Sequence, residues 1–469
     1  MSTTGAGFTS KPVDFLSIVY HIALLRWFSE LGLETPTDDA LGYLLQAEKR
    51  YEAWWDMLKE TKPDPEAIII PPIDVVLMWH THMLNPRQYQ EDLYRMTKDH
   101  SLHKYELPLK RINTVFMRRK AADPMDVKTW SLFTNLPYEL KVTDSAPEPW
   151  KVACPWCQTT FDIPHVSYVD IRTNPKPKYS AGCPDCHCQY FPDMVSAKAF
   201  WDDWQAWTKD TTVGLRGAYL DTKSGDWDLD GAAEKMEKLH ALFQELEAIP
   251  PDSWSSCDWG HILRYFSAAQ SLLDIRNRHE HPFTLGTAQI EKAYRDVVGP
   301  FSVSLWSSAL YNFKTIKRIL PNFWASSDVT KRHANRYHAY LVALNEHDQD
   351  LPSASGFEPD IAWLTHMLRP AHYREYTLMF TQRVIELADR VALADQVVST
   401  GSHDEYAASH ASHDSSLDQR TRGSATPTSD STPVVMSLSD IKFMQTMAHQ
   451  DGNSRVLSHK GSLASFEYK

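Results

Sequence analysis

Part of this chain occurs twice, so any fold must house both copies. The first copy reads Arg50-Tyr51-Glu-Ala53-Trp54-Trp-Asp-Met-Leu58-Lys-Glu60, followed by Asp74-Val-Val-Leu-Met-Trp79-His80-Thr81-His82-Met83-Leu84-Asn-Pro86-Arg-Gln-Tyr89. The second reads Arg336-Tyr337-His-Ala339-Tyr340-Leu-Val-Ala-Leu344-Asn-Glu346, then Asp360-Ile-Ala-Trp363-Leu364-Thr365-His366-Met367-Leu368-Arg-Pro370-Ala-His-Tyr373. Arg336 and Asp360 each lie 286 positions after Arg50 and Asp74, and the Thr-His-Met-Leu-x-Pro-x-x-Tyr segments match at 284. Separated landmarks that keep one offset point to a duplicated helix–loop–helix unit whose apolar face needs a neighbour.

The patterning around both copies is helical. Leu16, Val19, Tyr20, Ile22, Ala23 and Trp27 form one stripe, and Leu41, Leu44, Leu45, Tyr51, Trp54 and Leu58 another. Thr37, Asp38 and Asp39 supply a helix start, and a third apolar segment runs from Ile73 to Tyr94. Further helical patterns cover Ala232–Glu247, Ile290–Val298, Val329–Asn345 and Ala362–Leu393. Residues 150–192 read instead as short strands and turns, with β character at Gln158–Ile163 and Ser167–Ile171. Beyond Val398 the chain is rich in Ser, Thr, His and Asp, the composition of a disordered tail. The expected architecture is therefore mainly α. Its segments are a flexible 1–12, a first helical unit at 13–149, a β zinc-ribbon insertion at 150–195, a helical region with the second unit at 196–397, and a tail at 398–469.

Two readings of the repeated motif compete. In the architectural one, Asp74 and Asp360 cap helices, Thr81, His82 and Tyr89 form a satisfied polar network, and Pro86 and Pro370 mark helix boundaries. In the chemical one, His80 and His82 bind a metal or move protons. On a helix, residues two apart point to nearly opposite sides, and Leu364 stands where His80 does. Only His82 and His366 recur, so copy-specific chemistry would sit at His80. His80, His82 and His366 are the catalytic candidates.

The Trp-His-Thr-His-Met-Leu-Asn-Pro-x-x-Tyr segment, preceded by Ile73-Asp74, resembles the signature of the glycine-rich domain-containing protein-like family of plants and fungi. The resemblance is strongest over Val13–Tyr94 and reaches about Arg390 through the second copy. With 17 Gly in all, the chain lacks the glycine-rich tail of the plant members, so their RNA-related or developmental roles are not carried over. Some fungal relatives bear the label of 2-oxoglutarate-dependent sulfonate dioxygenases, which hold Fe(II) through two His and a carboxylate. The His-x-Asp/Glu matches, His403-Asp-Glu405 and His449-Gln-Asp451, lie in the tail away from any barrel-like run of strands, which argues against that label.

The sharpest chemical signal is a cysteine cluster. Cys154-Pro-Trp-Cys157 and Cys183-Pro-Asp-Cys186 are two knuckles whose four thiolates complete a tetrahedral shell, the signature of a structural Zn²⁺ with no open position. Cys188 could replace Cys186, and His187 is a weaker ligand. Cys257 reads as a small core residue. His279-Glu280-His281, behind Arg276 and Arg278, reads as a charged helix end, and Arg118-Arg119-Lys120 as a solvated basic face.

Charge narrows the partners. With 48 basic and 60 acidic residues the net charge is −12, which disfavours nucleic acid despite Arg172, Lys176 and Lys178 in the ribbon. The tail from Gly401 contributes only −2 of this. Apolar stretches are too short to span a bilayer, and cysteines clustered like a metal site fit a reducing compartment, so the expected location is cytoplasmic, with the nucleus as alternative. The functional expectation is an intracellular zinc-containing helical scaffold with a protein partner. Thr426-Pro and Thr432-Pro would offer phosphorylation sites in its tail. The alternative is a metal- or His-dependent enzyme whose pocket between the repeats is lined by Trp79, His80, His82, Tyr89, His366 and Tyr373 and takes a small organic ligand.

Overall fold

The computed structural model describes residues 12–98, 101–117, 122–142, 148–212, 214–221, 223–248, 258–276, 285–320, 327–346 and 361–386. Among them the chain is mainly α, with one antiparallel pair of strands. Asp360, Cys257, His279–His281, the basic run at 118–120 and the tail with its His-x-Asp/Glu matches lie outside the described residues. No helix among the described residues is long and apolar enough to cross a membrane.

The first unit comprises four helices, α1 (Phe15–Glu30), α2 (Asp38–Thr61), α3 (Ile73–Met83) and α4 (Pro86–Thr97), the repeated motif lying on the last three. Helix α2 starts where Thr37 accepts a hydrogen bond from the Ala40 amide at 3.2 Å. After α5 (Leu109–Met117) and α6 (Pro124–Thr134) the chain leaves this unit. It re-enters through α12 (Leu305–Ile319), α13 (Ser327–Glu346), α14 (Ile361–Met367) and α15 (Pro370–Thr381). The duplication extends to the helix ends. Both α4 and α15 begin on proline, whose ring presets the helical φ, and both stop at a left-handed residue, Lys98 (φ 58°) and Gln382 (φ 55°).

The two units share one core and exchange their leading helices. Helix α1 packs against α13 and α14 of the second unit, whereas α12 packs against α2 and α3 of the first. Helix α1 also meets α5, so both its faces are covered. That is why its residues, from Ile18 to Phe28, are apolar nearly all round.

The cysteine-bearing segment is a hairpin followed by a helix. Strands β1 (Trp150–Ala153) and β2 (Thr160–Ile163) pair antiparallel, Trp150 opposite Ile163 and Ala153 opposite Thr160. The β character read at Ser167–Ile171 gives way to α7 (His165–Thr173). Tertiary packing decides this. As a helix starting after Pro164, the segment turns Tyr168, Val169, Ile171 and Arg172 inward together, where a strand would split them between two faces. It approaches α2 closely at Gly42, where an added Cβ would stand 2.6 Å from His165 Nε2. Helices α8 (Pro192–Lys209), α9 (Leu229–Glu245), α10 (Trp259–Arg276) and α11 (Thr287–Tyr294) build a separate aromatic core around Phe200, Trp201, Trp204 and Trp259.

Candidate metal centre and the buried histidine network

The two cysteine knuckles are copies of one backbone device. In the first, the Cys154 amide donates to Thr159 O and the Gln158 amide to Cys154 O; in the second, Cys183 donates to Cys188 O and His187 to Cys183 O. Gln158 (φ 63°) and His187 (φ 58°) occupy the same left-handed position. These turns bring the Sγ atoms of Cys154, Cys157, Cys183 and Cys186 within 4.8 Å of one another. Cys154 and Cys186 stand 3.6 Å apart and Cys157 and Cys183 3.5 Å apart. A tetrahedral ion with Zn–S bonds of about 2.3 Å needs thiolates about 3.8 Å apart, so the four sulfurs can close around one metal ion. Thr159 Oγ1 donates to Asp185 Oδ2 at 2.6 Å and ties one knuckle to the other.

Cys188 takes no place in this cluster. It corresponds to Thr159 of the first knuckle, and its sulfur faces Met194 Sδ at 3.5 Å. His187, in the left-handed corner, is likewise outside the group.

The repeated motif makes the same hydrogen bonds twice. Trp79 Nε1 donates to the Tyr89 hydroxyl at 3.0 Å, and Trp363 Nε1 to the Tyr373 hydroxyl at 2.8 Å. The Tyr51 hydroxyl meets His82 Nδ1 at 3.1 Å, and the Tyr337 hydroxyl meets His366 Nδ1 at 2.9 Å. The other ring nitrogens then diverge. His82 Nε2 faces Asp92 Oδ2 at 3.2 Å, whereas Tyr376 stands at the equivalent of Asp92 and His366 Nε2 faces His372 Nδ1 at 2.7 Å.

Burial would raise Asp92, but Arg95, His82 and Ser302 outweigh it and hold the carboxyl at about 2. The ionised carboxylate accepts from His82 Nε2–H, which leaves Nδ1 to accept from Tyr51. Burial lowers His82 and keeps its ring neutral.

His80 points the other way, across the junction of the units. Its Nε2 lies 2.9 Å from His21 Nε2, and His21 Nδ1 lies 2.9 Å from Thr365 Oγ1. The Thr365 hydroxyl donates its one proton to Ile361 O. It therefore accepts from His21 Nδ1–H, the neutral His21 accepts at Nε2 from His80, and His80 Nδ1 is left a bare lone pair without a partner. Burial lowers His80 to about 3, and burial together with His80 drives His21 well below its usual range. On the opposite side of the junction Asn312 Nδ2 reaches Thr81 Oγ1 at 3.5 Å. The exchanged helices α1 and α12 thus address the equivalent threonines of each other's unit.

The repeated segment is also where the chain meets known proteins. Residues 24–92 match a family. The family is the glycine-rich domain-containing protein-like one, to which that stretch is similar. It spans the latter part of α1, the whole of α2 and α3, and α4 as far as Asp92. No curated protein and no solved structure matches the chain.

The three histidines singled out in the sequence do not converge on one point. His82 belongs to the first unit, His366 to the second, and His80 bridges them through His21. The partners Asp92 and His372 carry no sequence signal of their role, whereas Thr365 is marked by the repeat as the counterpart of Thr81. His21 leaves a trace, as a polar break in the apolar run of α1.

A second buried polar group surrounds Arg50. Arg50 pairs with Asp74 at 2.5 Å and donates to Pro137 O at 2.7 Å and Tyr138 O at 2.8 Å, whereas Arg336 is exposed.

Proposed function

We propose that the protein is an intracellular helical scaffold, stapled by a structural zinc ion, that acts by binding another protein. The observation that carries this reading is the closure of the Cys154–Cys157–Cys183–Cys186 group, in which four protein sulfurs supply every position of a tetrahedral ion. Such an ion has no site for substrate, and its binding free energy goes into folding a segment with only a small core. The buried motif supports the same reading. Trp79, His82, Tyr89, His366 and Tyr373 spend their polar atoms on neighbours, and these residues and His80 are at most 2% exposed. A pocket between the repeats would need those side chains turned toward a ligand.

Metal analysis tests the reading. The expected content is one zinc per chain, lost in Cys154→Ser and kept in His80→Ala. A second metal lost with His80 would favour the enzyme instead. A pull-down with the whole chain against a form ending at Val398 tests the tail as a partner site, and a partner held only by the whole chain is the expected result.

A further inference from the structure

We infer that the metal held by the four cysteines also locks the exchanged helix α12 onto the first helical unit, through Arg172 and Glu48. This rests on the zinc reading of the cysteine site and assigns that site a regulatory reach.

The chain between the knuckles, residues 158–182, contains β2 and α7, and the metal would close it into a loop. Its core is small: Val152, Ile163, Tyr168, Val169, Ile171 and Tyr190 pack around Leu45 of α2. Such a core does not hold a segment by itself. The metal therefore decides whether α7 stays seated on α2.

One buried carboxylate then passes the effect on. Arg172 of α7 donates from Nη2 to Glu48 Oε2 at 3.2 Å and from Nη1 to the Tyr168 hydroxyl at 2.9 Å. The other oxygen, Glu48 Oε1, accepts from the Leu305 amide at 3.1 Å, the first residue of α12. Trp306, next in α12, packs against both the main core and the small core of the cysteine segment. Glu48 thus needs Arg172 to remain a buried anion, and α12 needs Glu48 to receive its first amide. When α7 leaves, the carboxylate loses its cation and must take a proton or move toward water. Either change frees the start of α12, the helix through which the second unit grips α2 and α3.

Hydrogen exchange on the whole chain, with zinc bound and after its removal by a chelator, tests this. Removal should quicken exchange about tenfold or more in both 165–173 and 305–319, and leave 229–245 and 259–276 unchanged. In Glu48→Gln, which keeps an acceptor for Leu305 and offers Arg172 no charge, removal should still quicken 165–173 but no longer change 305–319. Arg172→Gln cuts the same link from the other side and should read the same if the first variant does not fold. The clasp is overturned if 305–319 ignores zinc removal, if both variants respond as the wild type does, or if 229–276 quickens equally. A chain that takes up no zinc overturns the zinc reading along with the clasp, whereas zinc bound with 305–319 indifferent overturns the clasp alone.

Discussion

His21 Nε2 and His80 Nε2 lie 2.9 Å apart in the junction between the two helical units, and the Thr365 hydroxyl ends that chain of bonds. Phe28 packs edge-on against the His80 ring, and no carboxylate contributes to the shift of either ring. The folded pKa values lie below the usual 6.5, at about 3 for His80, so below pH 6.5 the unfolded chain binds more protons than the folded one. The contribution of these two rings to stability is complete above pH 6.5 and falls as pH drops toward 3, by up to about 1.4 kcal/mol per pH unit for each ring. The paired change His21→Leu with His80→Leu, which copies Leu364 of the second unit, should flatten this acid limb in urea titrations between pH 7.5 and 5. His82 and His366, also lowered, would retain part of it.

Tyr51 and Tyr337 do the same work in the two copies, donating to His82 and His366. Tyr51→Phe and Tyr337→Phe should each cost about 1–3 kcal/mol, the penalty of a buried acceptor left unpaired. Denaturant midpoints showing less than about 0.5 kcal/mol for either would contradict the equivalence of the copies.

Arg50 and Asp74 should be far more sensitive than their counterpart. Asp74→Asn leaves a buried guanidinium short of its anion and should cost about 3–5 kcal/mol. Arg336→Met removes an exposed side chain and should change stability by less than about 1 kcal/mol, measured the same way.

Glu91 provides an alkaline counterpart to the histidines. Its Oε1 accepts from the Tyr219 amide at 3.1 Å, and burial with Asp92 beside it lifts the carboxyl to about 8. Between the usual carboxylate range and pH 8 the folded chain holds a proton that the unfolded chain has released, so stability falls as pH rises through that window. Glu91→Gln should remove the fall and raise the thermal midpoint at pH 8 more than at pH 5.

Cys188 and Cys186 should separate cleanly. Cys188→Ser is expected to keep the metal, because its sulfur faces Met194, whereas Cys186→Ser should lose it. Zinc content and a thiol titration with and without chelator read the difference.

Much of this protein is local and therefore written along the chain. Helical period, the Thr37 cap, the proline starts at Pro86 and Pro370, and the two knuckles depend on neighbours a few residues away. The repeat is visible because Trp79 and Tyr89, or Trp363 and Tyr373, must keep their spacing to reach each other within one unit. The α7 segment reads as a strand but folds as a helix because a short mixed segment takes the period of the surface it must cover, here that of α2.

The exchange of α1 and α12 is decided only in three dimensions. Helices α1 and α12 share no motif, and the bonds that reveal their equivalence, His21 to Thr365 and Asn312 to Thr81, span 344 and 231 residues. The amino-acid order by itself determined the strongly periodic helices, the two cysteine knuckles and which unit is duplicated, since those follow from short-range geometry. Tertiary structure decided which unit each leading helix serves and which partner each buried histidine nitrogen finds. Burial makes an unpaired polar atom costly wherever it lies, but the atom that satisfies it is chosen by packing, not by distance along the chain.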